Sequence, residues 1–188
     1  LTANTTLVSD PSHGMLFYLG SDGQFTYNHD NSENFTDSFV YEVFDAVGNT
    51  DTATVHITIT PVNDNAPVAN DDIATVAEGS MNTNVVVNGG PISVMDNDTD
   101  SDLPPNTLSV DTEPLSGPSN GSLTLRADGS FDYDHDGSET TTDSFVYILS
   151  DGVATDTATV TIAITPVNDP TVANNDFATA SEGSTNTN

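Results

Sequence analysis

Asp143-Ser-Phe-Val-Tyr-Ile-Leu-Ser-Asp-Gly-Val-Ala-Thr-Asp-Thr-Ala-Thr-Val-Thr-Ile-Ala-Ile-Thr165 is the stretch from which the fold can be read. Phe145, Tyr147 and Leu149 occupy alternate positions, and so do Ala158, Val160, Ile162 and Ile164. A period of two puts one face of a strand in a core and the other in water. Val146 and Ile148 blur the outer face of the first run, whereas threonines mark the outer face of the second. Between the runs, Ser150-Asp-Gly152 is a turn signal, so the whole reads as two adjoining half-buried strands.

The same pattern occurs earlier in the chain. Thr36-Asp-Ser-Phe-Val-Tyr41 recurs as Thr142-Asp-Ser-Phe-Val-Tyr147, and Asp22-Gly-Gln-Phe-Thr-Tyr-Asn-His-Asp30 as Asp128-Gly-Ser-Phe-Asp-Tyr-Asp-His-Asp136, both 106 residues on. Asp51-Thr-Ala-Thr-Val55 and Thr60-Pro-Val-Asn-Asp64 return 105 residues later, and Ala69-Asn-Asp-Asp72 returns as Ala173-Asn-Asn-Asp176 after 104. A period of about 105 residues divides the chain into the C-terminal part of one repeat (1–65), a complete repeat (66–169) and the opening strand of a further one (170–188). The complete repeat reads as about seven strands, over 69–76, 84–94, 107–113, 121–126, 130–134, 143–150 and 155–165. No helical period persists beyond one turn. Seven short strands in this length predict an all-β fold, Greek-key β-sandwiches of immunoglobulin type in tandem, here without the Cys and Trp of antibody domains.

Charge narrows the function. There are 29 Asp and Glu against one basic side chain, Arg126, giving a formal charge of -28. Nucleic acid and anionic membrane surfaces both demand the opposite sign. No apolar run is long enough to cross a bilayer, so membrane insertion is not expected. Residue 1 does not open a signal segment, and the chain reads as an interior piece of something longer. Without Cys there is no disulfide framework and no thiolate metal site. So much negative charge on a chain that is 35% hydrophobic needs compensation by bound cations or high salt.

Asp143-Ser-Phe-Val-Tyr147, Ser150-Asp-Gly152, Thr155-Asp-Thr-Ala-Thr-Val-Thr-Ile162 and Pro166-Val-Asn-Asp169 together resemble the cadherin-like tandem repeats, including VCBS-type repeats, of large bacterial surface adhesins. The loop Asp96-Asn-Asp-Thr-Asp-Ser-Asp102 and the later Arg126-Ala-Asp-Gly-Ser-Phe131 fit the same pattern, so the resemblance covers essentially the whole chain. It implies a cadherin-like fold, an extracellular, cell-surface or secreted location, and Ca2+ bound at the junctions between repeats.

Calcium takes six to eight oxygens on loops that bend around it. In the loop, Asp96, Asp98, Asp100 and Asp102 stand at alternating positions and would repel one another without a cation, although neither the Gly nor the Glu of an EF-hand is present. The linker Pro61-Val-Asn-Asp-Asn-Ala-Pro67 resembles the cadherin junction motif; Asn63, Asp64 and Asn65 match its ligand positions, and Pro61 replaces its first Asp. The second linker keeps Asn168 and Asp169, with Pro170 in third place. The turns carrying Asp30 and Glu33, and Asp136 and Glu139, loosely resemble the cadherin Leu-Asp-Arg-Glu segment, and Glu78 matches the family's near-N-terminal Glu.

Catalysis is not expected. His29-Asp30 and His135-Asp136 repeat, but neighbours in a strand face opposite sides, and each His is expected to be exposed or to cap a strand end. No nucleophile elbow, phosphate loop or zinc-type His pair occurs. The leading reading is a calcium-rigidified structural or adhesive module whose partners are neighbouring repeats of the same or another copy. Strand addition by residues 170–188 of one molecule to the first repeat of another would build a filament. The alternative is a module that binds carbohydrate or another surface; the five Tyr and eight Phe, falling mainly at inward positions, are expected to disfavour it.

Overall fold

A computed structural model describes residues 1–183; positions 184–188, the end of the expected opening strand, lie outside the described residues. The second repeat is a two-sheet sandwich. One sheet is ordered β6 (Asp72–Ala77), β12 (Thr155–Thr165), β11 (Thr142–Ser150) and β8 (Ser109–Val110); the other is β7 (Met81–Asn82), β10 (Phe131–His135) and β9 (Gly121–Leu125). β11 and β12 form the expected hairpin, with Phe145 opposite Val160 and Tyr147 opposite Ala158. β6 instead runs parallel to β12, from Asp72 opposite Val160 to Ala77 opposite Thr165. Such a pair cannot be joined by a tight turn, and the rest of the sandwich is the crossover.

The period-two residues fill the space between the sheets. Phe131, Tyr133, Tyr147, Leu149, Val160 and Ile162 are each 0% exposed and Phe145 1%. Each such side chain contributes about 1.5–3 kcal/mol of apolar burial. Phe131 and Phe145 meet edge to face, with centroids 5.0 Å apart. Asp143 ties the sheets at one end: its carboxylate accepts the Tyr133 hydroxyl (2.8 Å) and the amides of Ser119 (2.9 Å) and Asn120 (2.8 Å).

The first repeat uses the same parts. β1 (Thr2–Ala3), β4 (Thr36–Phe44) and β5 (Thr50–Thr58) form one sheet, and β2 (Gly14–Leu19) pairs with β3 (Phe25–His29). Phe39 lies opposite Val55 as Phe145 lies opposite Val160, and Asp37 repeats the tie, accepting from Tyr27, Ser12 and His13. Its core is more open: Phe25 is 43% exposed where Phe131 is fully buried. Val76, Val85, Val87 and Val94 join the core around Phe131, and no described residue takes their place around Phe25.

Four expectations need correction. Residues 84–94 are not a strand: Asn84, Asn88 and Gly89 take positive φ of 50°, 49° and 78°, and only bridges to Ala74 and Ser130 remain before a 3-10 turn, Val94–Asn97. Left-handed backbone cannot continue a pleat. The strand expected over 107–113 shrinks to Ser109–Val110, while the short β7 was not foreseen. The aromatics face mainly inward in the second repeat but not in the first, where Phe17 (66%), Tyr18 (55%), Phe35 (46%), Phe25 (43%) and Phe44 (38%) are exposed. Residues 170–183 carry no strand and are exposed.

Candidate metal centre

The linker between the two repeats runs past three loops, and their acids converge on it. Glu33 comes from the β3–β4 turn, Asp64 from the linker, Asp100 and Asp102 from the loop after the 3-10 turn, and Asp151 from the β11–β12 turn. Glu33, Asp64 and Asp102 each place a carboxylate oxygen within 4.8 Å of the others, and so do Asp100, Asp102 and Asp151. Asp102, shared by both groups, is only 2% exposed. At 4.8 Å two like charges cost about 3 kcal/mol at an effective dielectric of 20. No base offsets this, since Arg126 is paired with Asp132.

Amides supply part of the compensation. Asn65 donates to Asp102 Oδ1 from its side chain (2.6 Å) and its backbone (3.2 Å), and to Glu33 Oε1 (3.0 Å). Asn106 donates to Asp102 Oδ2 at 2.7 Å, and the Leu103 amide to Glu33 Oε2 at 3.1 Å. Ala154 and Val153 amides hold the Asp151 carboxyl below the usual carboxylate range. Two features remain unanswered. Asp100 Oδ2 is buried without a donor. One terminus of the Asn63 amide faces Asp151 Oδ2 at 3.1 Å and Asp102 Oδ2 at 3.2 Å. As NH2 it donates to both; as oxygen it completes a trio of oxygens spaced like neighbouring ligands around calcium. The donor set is all oxygen and mostly anionic, which fits a hard divalent cation and no soft one.

Two members of the first group recur in a second. Glu78, Glu139 and Asp169 bring carboxylate oxygens within 4.8 Å of one another. Glu139 and Asp169 are the repeat counterparts of Glu33 and Asp64. Glu78 is 9% exposed and accepts the Val167 amide at 2.9 Å. Asn168 stands beside Asp169, its side chain turned to the Asp169 carbonyl at 3.5 Å.

The remaining candidate acids sit elsewhere. Asp30 and Asp136 are exposed and close their own turns, accepting the amides of Ser32 (3.0 Å) and Ser138 (2.9 Å); the serine hydroxyls, then those amides, lower both carboxyls. Asp96 is exposed in the 3-10 turn. Asp98 points inward, accepting the Tyr147 hydroxyl at 3.0 Å and the Asn70 amide at 2.8 Å, and burial raises its carboxyl. Buried Asp72 nearby is pushed up to about 6, by burial first and by Asp98 and Asp71 next. Asp151 was missed because Ser150-Asp-Gly152 reads as a turn and nothing more; its only signal was its place in the resemblance.

The repeated histidines are placed differently from expectation in the second repeat. His135 is buried rather than exposed, its Nδ1 accepting the amides of Gly79 (3.0 Å) and Gly137 (3.2 Å), with Nε2 3.1 Å from Thr140 Oγ1. It caps two turns, and both ring nitrogens are engaged.

Residues 64–166 match the family described as bacterial cadherin-like domain, and residues 1–58 match bacterial Ig domain. No curated protein matches the chain. Among solved structures, the human desmocollin-1 ectodomain is 15% identical with a TM-score of 0.52, over 89% of this chain and 35% of that one. Protocadherin gamma B2 extracellular cadherin domains 1–5 give 13% and 0.56 over 89% and 34%, and its domains 3–6 give 12% and 0.57 over 87% and 41%. The chain thus spans about a third of the first two structures, and at these identities the likeness is one of fold. Both matched kinds of domain are typically non-catalytic structural or adhesive modules of extracellular and surface proteins. More than half of the sequence lies within the first match, and the chain belongs to the bacterial cadherin-like domain family.

Proposed function

We propose that this chain is a calcium-rigidified spacer within an extracellular adhesive protein or fibre of a bacterial surface, with repeat boundaries at 1–65, 66–169 and 170–188. The observation that carries the reading is the shared, buried Asp102. It joins Glu33 and Asp64 of one repeat and linker to Asp100 and Asp151 of the next, with no base among them. Asn63 and the donor-free Asp100 Oδ2 add neutral and anionic oxygens to the same set. A divalent cation held there neutralises charge on both sides of the linker. These residues fix the linker against two loop ends, so that bending one repeat on the other would separate oxygens from their shared partner. The second group prepares the same arrangement beyond residue 169.

Small-angle scattering and thermal melts in millimolar calcium and in chelator, at matched ionic strength, test this. Calcium is expected to narrow the distribution of particle lengths and raise the melting temperature by several degrees, with sodium acting by screening alone. Superposable curves would remove the metal from the account.

A further inference from the structure

The two repeats share a scaffold, so positions where only one departs from it mark something other than folding. Gly14 and Gly121, Leu16 and Leu123, and Leu19 and Leu125 are equivalent by register. Between them β2 carries one residue more than β9: the register shifts between Leu16 and Tyr18, and Phe17 is the inserted residue of a bulge. Phe17 and Tyr18 consequently both face solvent, 66% and 55% exposed, beside Met15 at 58%. The matching outward positions of the second repeat are Ser122 and Thr124, also exposed, so nothing in the shared fold asks for aromatics there. Ser9 and Ser116 make equivalent bridges, which sets Asp10 where the second repeat has Gly117. Gly20 likewise stands in place of Arg126, and a Cβ on Gly20 would come 2.5 Å from the Tyr18 hydroxyl oxygen. That exchange makes room for the Tyr18 ring and takes away a base.

These departures surround one cleft of about 430 Å³ along β2, lined among others by Thr5, Asp10, Pro11, Met15, Phe17 and Tyr18. We propose that this cleft binds an uncharged saccharide. The size suits a few sugar rings. Exposed aromatic faces stack on the C–H faces of a pyranose, and the Asp10 carboxylate and the Thr5 and Tyr18 hydroxyls meet its hydroxyl groups. No basic side chain lines the cleft. With a chain charge of -28, this excludes sulfated or sialylated glycans and opposes a second copy of the chain as the occupant. The site shares no residue with the metal centre and stands independently of the calcium reading.

The test is titration of the whole chain with cellohexaose, maltohexaose and mannohexaose in turn, followed by nuclear magnetic resonance and calorimetry, with a heparin hexasaccharide as the anionic comparison. At least one uncharged probe is expected to bind at millimolar concentration or below and to shift the Tyr18 resonances, while heparin does not. Tyr18→Thr and Asp10→Gly install what the second repeat carries and so keep the fold; each should weaken binding about tenfold or more. Binding should survive chelation of calcium. Failure of all three probes, equal binding by both variants, a preference for heparin, or cleft shifts that track protein concentration alone would each overturn the proposal.

Discussion

Replacing Asp143 by Ala should cost the second repeat much of its stability. The carboxylate is 8% exposed and accepts the amides of Ser119 at 2.9 Å and Asn120 at 2.8 Å, the Tyr133 hydroxyl at 2.8 Å and its neighbour's amide, Ser144, at 2.8 Å. The hydroxyl has a second acceptor, the Asn120 carbonyl at 3.2 Å, so its loss counts least. The two loop amides count most, because a hydrogen bond to a charged acceptor is worth about 1.5–3 kcal/mol and each donor would be stranded. The sum is about 4 kcal/mol, a large share of the roughly 5–15 kcal/mol that holds a domain together. Burial alone would raise the carboxyl, yet the amides of Ser119, Asn120 and Ser144 and the Tyr133 hydroxyl outweigh it and the group is lowered. Its contribution is therefore complete above the ordinary carboxylate value of 3.8 and lost as pH falls through the lower folded value. The counterpart Asp37 behaves alike, held at about 2. Thermal melts at neutral pH should fall by about 15 °C or more, and hydrogen exchange at the Ser119 and Asn120 amides should accelerate. A loss under about 1 kcal/mol with both amides still protected would refute the reasoning.

Asp72, 1% exposed, carries the opposite sign: with its carboxyl raised to about 6, stability should fall as pH rises from 3.8 to that value, and Asp72→Asn should flatten the profile and stabilise the chain at pH 8 by about 1–3 kcal/mol in urea titrations. Asp64→Ala should broaden the scattering-derived length distribution in calcium while leaving the circular dichroism of both repeats unchanged; a variant as rigid as the parent would reduce the linker acid to a turn residue. Residues 172–181 repeat 68–77, so addition of this segment to a second copy would set Asp176 opposite Val55, as Asp72 lies opposite Val160. Deleting 171–188 is then expected to abolish concentration-dependent assembly in analytical ultracentrifugation, and assembly that persists would refute strand addition.

What the sequence showed depended on how locally each feature is encoded. The β11–β12 hairpin was legible because Phe145, Tyr147, Val160 and Ile162 alternate over long runs and the core answers that alternation directly. Val85, Val87 and Val94 are equally buried, but they reach the core from irregular backbone set by Asn84 and Asn88, whose left-handed φ has no periodic signature. The acidic loop announced a charge problem without saying which acids share it. Asp98 and Asp102 look alike in sequence, yet one turns to Tyr147 and the other to Asn65 and Asn106. Asp151 joins the centre from about fifty residues away through the topology of the sheet, a relation no local pattern carries. The Phe17 bulge shows only when the two repeats are aligned by strand register.

The most direct test of the calcium account is a crystal structure grown in calcium, with anomalous scattering recorded at a wavelength where calcium contributes. The account predicts an anomalous peak among Glu33, Asp64, Asp100, Asp102 and Asp151, with ligand oxygens at about 2.3–2.6 Å including Asp102 and Asn63 Oδ1. A site filled by water alone, with Asn63 donating its NH2 to Asp102 and Asp151, would contradict it.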